Sequence, residues 1–360
     1  MIDALDPGTW AALLGLVAGT VLGLAARLGR FCTLGAIEDA LFGHDFDRAR
    51  LWAIAIATAV AAVHGAAALG WVDLDGNVYL LRPLNIPATL LGGGLFGLGM
   101  ALVGTCGYGC LARLGGGDLR ALVVFLVMGI VAYASLVGAI AVLNAMLLTP
   151  LGIAGRWSLG DLVGLPRDAA PLLALGVSLA LASWCLRDRA FRRSSRLPWG
   201  VASGLAVALG WIGTSWLAAE TFDAVTPRSL TFVRPLGDAV VWVMTSSATP
   251  LGFGIGAVAG VVLGALAGAI LRDELRWEAF DDPREMRRHL LGAALMGVGG
   301  VMAFGCTIGQ GLTAFSVLAV SAPLTLLAMV GGAWMGLTIL MEGSVAAPFR
   351  RLTRRSGGAP

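Results

Sequence analysis

Long apolar runs separated by short arginine-rich or glycine-rich stretches make up nearly all of the chain. A hydrocarbon layer about 30 Å thick is crossed by about 20 predominantly apolar residues in a helix. Nine stretches read as spans: 10–28, 51–71, 86–103, 119–147, 170–186, 198–216, 251–271, 290–303 and 322–341. Four apolar segments between them are too short to cross and are broken by Gly or Thr: 30–42, 104–117, 221–247 and 305–320. Irregular backbone is not tolerated against lipid, so these four are expected to be re-entrant, buried in protein or lining a cavity. The expectation is an all-α integral membrane protein of about nine transmembrane helices plus four re-entrant segments. It forms a single membrane domain over 1–360, with no separate soluble domain.

Charge gives this reading a direction. Every basic residue is Arg. An odd number of crossings puts the termini on opposite sides. One side then holds Arg27, Arg30, Arg48, Arg50, Arg113, Arg120, the arginines of 187–196, those of 272–288 and the four of the tail. The other holds only Arg82, Arg156, Arg167, Arg228 and Arg234. The division is 20 against 5, which together make the 25 basic residues. Cytoplasmic loops carry the excess of positive charge. The N-terminus is therefore expected outside and the C-terminus in the cytoplasm, in a bacterial inner membrane.

Composition agrees. The chain is 58% hydrophobic and 13% charged, with 52 glycines and a mean hydropathy of +0.84. Soluble domains average about 25% charged. Glycine enrichment in an apolar chain points to closely packed and broken membrane helices. Asp3 and Asp6 stand where a cleavable leader carries basic residues, so none is expected. The five cysteines and three scattered histidines have no metal-site spacing. No cofactor, metal or nucleic-acid partner is expected.

Two halves match at an offset of 200 residues. Gly97 and Gly99 align with Gly297 and Gly299, Cys106 with Cys306, and Gly109 with Gly309. Each half reads span, broken segment, span, span, broken segment, span. Repeat one is placed at 9–148, a connecting helix at 170–187, repeat two at 198–341 and a cytoplasmic tail at 342–360. One connecting span inverts the second half, the plan of many transporters, whose substrate sites lie near the midplane between repeats.

Three segments carry candidate chemistry. Cys32 lies between Gly29 and Gly35, Cys106 between Gly104 and Gly107, and Cys306 between Gly305 and Gly309. Glycine lets the backbone turn sharply and another group approach closely. A short helix starting after such a turn aims its N-terminal N–H groups at the cavity and favours an anion. Thr33, Thr105 and Thr307 add hydroxyls, and Gln310 an amide donor. A thiolate would repel an anion, and apolar burial disfavours the thiolate, so the cysteines are expected as neutral S–H. A neutral thiol is a weak donor and a polarisable surface, suited to a soft sulfur-bearing anion. Cys110 either faces the same cavity or only packs, and Cys185 is read as structural. Glu38 and Asp39 cap the short helix, pair with Arg27 or Arg30, or carry a proton. Glu220 and Arg234 form an outer mouth or a loop ion pair. His64 is read as a packed helix residue.

At these motifs the chain resembles the YeeE/YedE family of sulfur-transport, thiosulfate-uptake membrane proteins. The resemblance is carried by Arg30-Phe-Cys32-Thr-Leu-Gly-Ala-Ile-Glu38-Asp39, by Cys106-Gly107-Tyr-Gly-Cys110-Leu-Ala-Arg113, and by Gly305-Cys306-Thr-Ile-Gly309-Gln310-Gly311. Tyr108 and Cys110 depart from the family pattern. The resemblance implies a pore in which Cys32, Cys106 and Cys306 hand a thiosulfate-like ion through by S–H contacts. It also implies a small cytoplasmic sulfur-carrier partner of the TusA type. The function expected is a permease rather than an enzyme. The competing reading is a membrane thiol/disulfide sulfur-transfer oxidoreductase, with Cys106 and Cys110 as its candidate pair. No phosphate-binding loop for nucleotide-driven transport is present.

Overall fold

The computed structural model describes residues 6–166, 169–344 and 346. Arg167 and the tail arginines Arg350, Arg351, Arg354 and Arg355 lie outside the described residues. In chain order the helices are α1 (Pro7–Leu28), α2 (Thr33–Glu38), α3 (Asp47–Ala68), α4 (Val78–Leu81), α5 (Ile86–Val103), α6 (Gly107–Gly115), α7 (Leu119–Val137) and α8 (Ala139–Leu148). They continue with α9 (Leu159–Leu162), α10 (Ala170–Arg187), α11 (Arg189–Arg192), α12 (Leu197–Glu220), α13 (Arg234–Thr245), α14 (Phe253–Leu271), α15 (Pro283–Met302) and α16 (Ser321–Glu342). Among the described residues there is no strand, only isolated bridges. The protein is an all-α membrane protein.

Eight helical stretches are long and apolar enough to cross a membrane among the described residues. The nine-span reading differs at α15, whose first turns carry Arg284, Glu285, Arg287 and Arg288 before the apolar half begins. The span expected over 119–147 is not one helix. Gly138 adopts an extended conformation (φ −98°, ψ −158°) and divides it into α7 and α8. Helix α5 ends at Gly104, which takes a left-handed conformation (φ +80°), and α6 restarts after an extended Cys106.

The packing exchanges the two halves. Helix α1 lies along α14, and α12 lies along α3; α1 and α12 touch each other. Helix α5 packs on α15 and α16, and α15 also packs on α7. The short helices follow: α13 leans on α7, and α2 on α16. Helix α10 packs chiefly on α3 and buries few residues, among them Ala174, Ser178 and Cys185.

Glycine makes these contacts possible. Lipid tails are as apolar as leucine, so helices associate in membranes through close packing rather than water exclusion. Gly15, Gly19 and Gly23 run down one face of α1, and Gly256, Gly260 and Gly264 down the facing side of α14. A Cβ at any of them would strike backbone atoms of the partner helix.

Two expected ion pairs go elsewhere. Asp39 pairs with Arg48 at 3.2 Å rather than with Arg27 or Arg30. Arg27 instead donates to the carbonyl of Ala112 at 3.1 Å, tying α1 to α6. Arg234 pairs with Asp238 at 3.3 Å, one helical turn on, not with Glu220. In each case a residue one turn away, or on the helix that packs alongside, is nearer than the one next in the sequence pattern.

Candidate functional site

The three cysteine turns share one backbone design. Two residues before each cysteine the chain takes a left-handed conformation: Arg30 (φ +55°), Gly104 (φ +80°) and Phe304 (φ +58°). Cys32 and Cys106 are then extended and stand at the N-cap of α2 and α6. In all three the cysteine carbonyl accepts the first helical hydrogen bond, from Ala36 at 3.1 Å, Cys110 at 2.8 Å and Gln310 at 2.8 Å. The N–H groups of the first turn have no intrahelical acceptor. The Cys306 sulfur takes one of them, from Gly309 at 3.4 Å. Left-handed Arg30 and Phe304 each cost about 1–3 kcal/mol, the strain typical of functional turns.

The turns converge. Cys106 lies within electrostatic reach of both Cys32 and Cys306, and its thiol lies against the Thr307 hydroxyl. Cys106, Cys306 and Thr307 are buried, and Cys32 is half-buried. The fourth broken segment, which has no cysteine, contributes too. Thr231 places its hydroxyl, and Phe232 its backbone N–H, against the Cys306 sulfur. Sequence reading missed Thr231 because it searched that segment for sulfur.

Aromatic rings wall the cluster. Phe31 stacks on Trp52 at 4.6 Å and meets Tyr108 edge-on at 6.5 Å; Tyr108 tilts against Phe232 at 5.7 Å. The Tyr108 hydroxyl donates to the carbonyl of Leu22 at 2.6 Å, so it anchors α6 to α1.

Two buried polar atoms have no hydrogen-bond partner, Thr33 Oγ1 and Trp52 Nε1, and the buried Thr307 hydroxyl has only the Cys106 thiol against it. A buried donor left unmade costs about 1–3 kcal/mol. With the thiols, they form a set of neutral donors in an apolar wall, complementary to a weakly hydrated anion.

Other residues singled out from the sequence are placed differently. Gln310 donates its amide to the carbonyls of Ala303 (2.9 Å) and Phe304 (3.2 Å) and accepts from Ser321 (3.2 Å). It braces the strained turn ahead of Cys306. Gly107 packs on Met128 and Leu236, and Gly309 on Thr231; Gly305 takes φ +156° beside Gln310. Thr105 and Cys110 line a separate small cleft with Arg113, Arg120 and His289. Arg120 there binds Asp118 at 2.9 Å and also pairs with Glu278 and Glu285. His64 is buried and bonded through Nδ1 to the Val60 carbonyl at 3.1 Å. Cys185 donates to the Arg50 carbonyl at 3.3 Å. All five cysteines are free.

The chain is 27% identical over 349 residues to the thiosulfate transporter TsuA of Spirochaeta thermophila, covering 91% of this chain and 98% of that one. It is 27% identical over 345 residues to the Escherichia coli protein of the same name, covering 89% and 92% respectively. Both relatives are transporters rather than enzymes. A family model described as sulphur transport matches residues 28–335, a stretch that takes in all three cysteine turns, and the chain belongs to that family, the YeeE/YedE membrane transporters.

Proposed function

We propose that this protein is a permease that imports thiosulfate, with the ion passed between the neutral thiols of Cys32, Cys106 and Cys306. The observation that carries the reading is that Cys106 lies within electrostatic reach of both Cys32 and Cys306, with its thiol against the buried Thr307 hydroxyl. An S–H donor holds an anion weakly, and several weak sites in series let an ion both enter and leave. The terminal sulfur of thiosulfate is large, polarisable and poorly hydrated, which suits contact with other sulfur atoms better than a hard oxyanion does.

In this reading α15 also crosses, which makes nine crossings, the N-terminus is outside and the arginine-rich face is cytoplasmic, in a bacterial inner membrane. The four broken segments are re-entrant. Residues 9–148 and 198–341 are inverted repeats joined by the helix at 170–187. The exchange of α1–α14 for α12–α3 contacts, and of α5–α16 for α15–α7, supports that duplication. A small sulfur-carrier protein of the TusA type is the partner proposed for the basic loops at 187–196 and 272–288. Consumption of the imported ion, or an ion gradient, supplies the drive.

Uptake of radiolabelled thiosulfate by cells that lack every other thiosulfate carrier tests the substrate. Saturable uptake is expected, suppressed by unlabelled thiosulfate far more than by sulfate, with sulfite, sulfide and a selenium analogue ranking the sulfur requirement. Uptake no greater than in cells without the protein contradicts the proposal.

A further inference from the structure

A small cavity of about 30 Å³ adjoins the turn that leads into Cys306. Tyr79, Arg82, Thr89, Phe304, Gln310 and Ser321 are among its walls, and no residue lining it is acidic. Arg82 is the single charge there. Its guanidinium sits 3.9 Å over the ring of Phe304. Among the described residues it has neither a carboxylate partner nor a side-chain hydrogen bond.

The floor of this cavity leads to the sulfur. Phe304 is the left-handed residue two before Cys306, and Gln310 holds its carbonyl. Tyr79 meets the Phe304 ring in an edge-to-face contact at 5.5 Å. The Tyr79 hydroxyl lies beside Thr231, which also lies against the Cys306 sulfur. Phe304 and Tyr79 therefore stand between Arg82 and Cys306.

The corresponding turn of the first half is built differently. There Arg113 donates to the carbonyl of Gly104 at 2.8 Å, so one of its donors is committed to the protein. Arg82 rests on a ring face, which attracts the charge but uses no N–H donor in a linear bond. Five donors in a planar fork remain for an oxyanion, which arginine binds bidentately.

We propose that Arg82 is the outer capture residue for the transported anion, and that binding draws its guanidinium off Phe304 and uncovers the way to Cys306. The proposal rests on the permease reading and adds a first binding step to it. An oxyanion engages Arg82 through its oxygens, leaving its sulfur to meet the thiol below. Charge-assisted bonds to an anion are stronger than the contact with the ring, so the exchange favours the ion-bound position.

Concentration-dependent uptake of radiolabelled thiosulfate is measured for the unaltered protein, Cys306→Ala, Arg82→Gln and Arg82→Lys. Arg82→Gln is expected to raise the half-saturating concentration about tenfold, with the maximal rate within about twofold of the unaltered protein, and Arg82→Lys to recover part of the loss. In Arg82→Cys, a membrane-impermeant cationic thiosulfonate applied from outside is expected to lower the half-saturating concentration again, and an anionic one to raise it. Unchanged half-saturation in Arg82→Gln overturns the proposal while the permease reading stands. A loss of maximal rate that neither Lys nor the cationic reagent restores also overturns it, by showing a structural role. No uptake by the unaltered protein overturns the permease reading and this step with it.

Discussion

Gly92 and Gly299 meet backbone to backbone where α5 crosses α15. A Cβ on Gly92 would lie 2.7 Å from the Gly299 carbonyl oxygen, and one on Gly299 would lie 2.5 Å from that of Gly92. Gly292 and Gly99 repeat the contact. A Cβ on Gly292 would lie 2.7 Å from the Gly99 oxygen, and one on Gly99 would lie 2.5 Å from that of Gly292. Adding 200 to one partner and subtracting it from the other turns each pair into its counterpart. Such reciprocity is what a two-fold axis imposes on an interface, and it supports the proposed duplication. In the proposed duplication the same axis would relate Cys106 to Cys306, which follow the ends of these two helices.

The crossing tolerates no side chain. Gly92→Leu is expected to destabilise the protein by about 1–3 kcal/mol or more, since backbone cannot yield as a side chain does. Gly94 lies on the same helix, and a Cβ there would meet nothing within 4 Å. Gly94→Leu is the control and is expected to be neutral. Thermal unfolding midpoints in detergent check both. Equal midpoints would mean that α5 and α15 are farther apart than described.

The buried hydroxyls beside the cysteines separate stability from transport. Thr33→Val replaces a buried O–H without a hydrogen-bond partner, and Thr307→Val one that has only the Cys106 thiol against it, by a methyl group of the same shape. Each is expected to leave the unfolding midpoint unchanged or raise it, because an unsatisfied donor has been removed. Each is also expected to raise the half-saturating thiosulfate concentration several-fold. Lower stability with normal uptake would show that these hydroxyls serve the fold and not the ion.

Thiol accessibility tests the competing disulfide chemistry. Cys106, Cys110, Cys185 and Cys306 are buried, and Cys32 is half-buried. Maleimide labelling of the purified protein is expected to modify Cys32 first and the other four slowly, with the same order with and without reductant. Rapid, reductant-dependent labelling of Cys106 and Cys110 would instead favour a transient disulfide between them.

Helix positions were largely legible in the sequence because apolar length is a strong signal in a membrane chain. The cysteine turns were legible because glycine marks each of them. Three things were not. The break at Gly138 lies inside an uninterrupted apolar run, where nothing in composition distinguishes one glycine from another. The roles of Gln310 and Thr231 depend on segments far apart in the chain. Gln310 reads as a free donor until the carbonyls of Ala303 and Phe304 are seen to occupy it. Thr231 lies in a segment expected to be re-entrant, but nothing singles it out until Cys306 is placed beside it. Arg82 reads as an isolated outer charge, and only the position of the Phe304 ring gives it a place above the cysteine path.

The central claim is that an ion travels along the three converging sulfurs. Thiosulfate influx into proteoliposomes, measured for Cys32→Ala, Cys106→Ala, Cys306→Ala and Cys185→Ala at matched protein density, tests it most directly. The account predicts severe loss in the first three and near-normal influx in the fourth, whose thiol serves only the Arg50 carbonyl. Influx through Cys106→Ala and Cys306→Ala equal to that of the unaltered protein would contradict it.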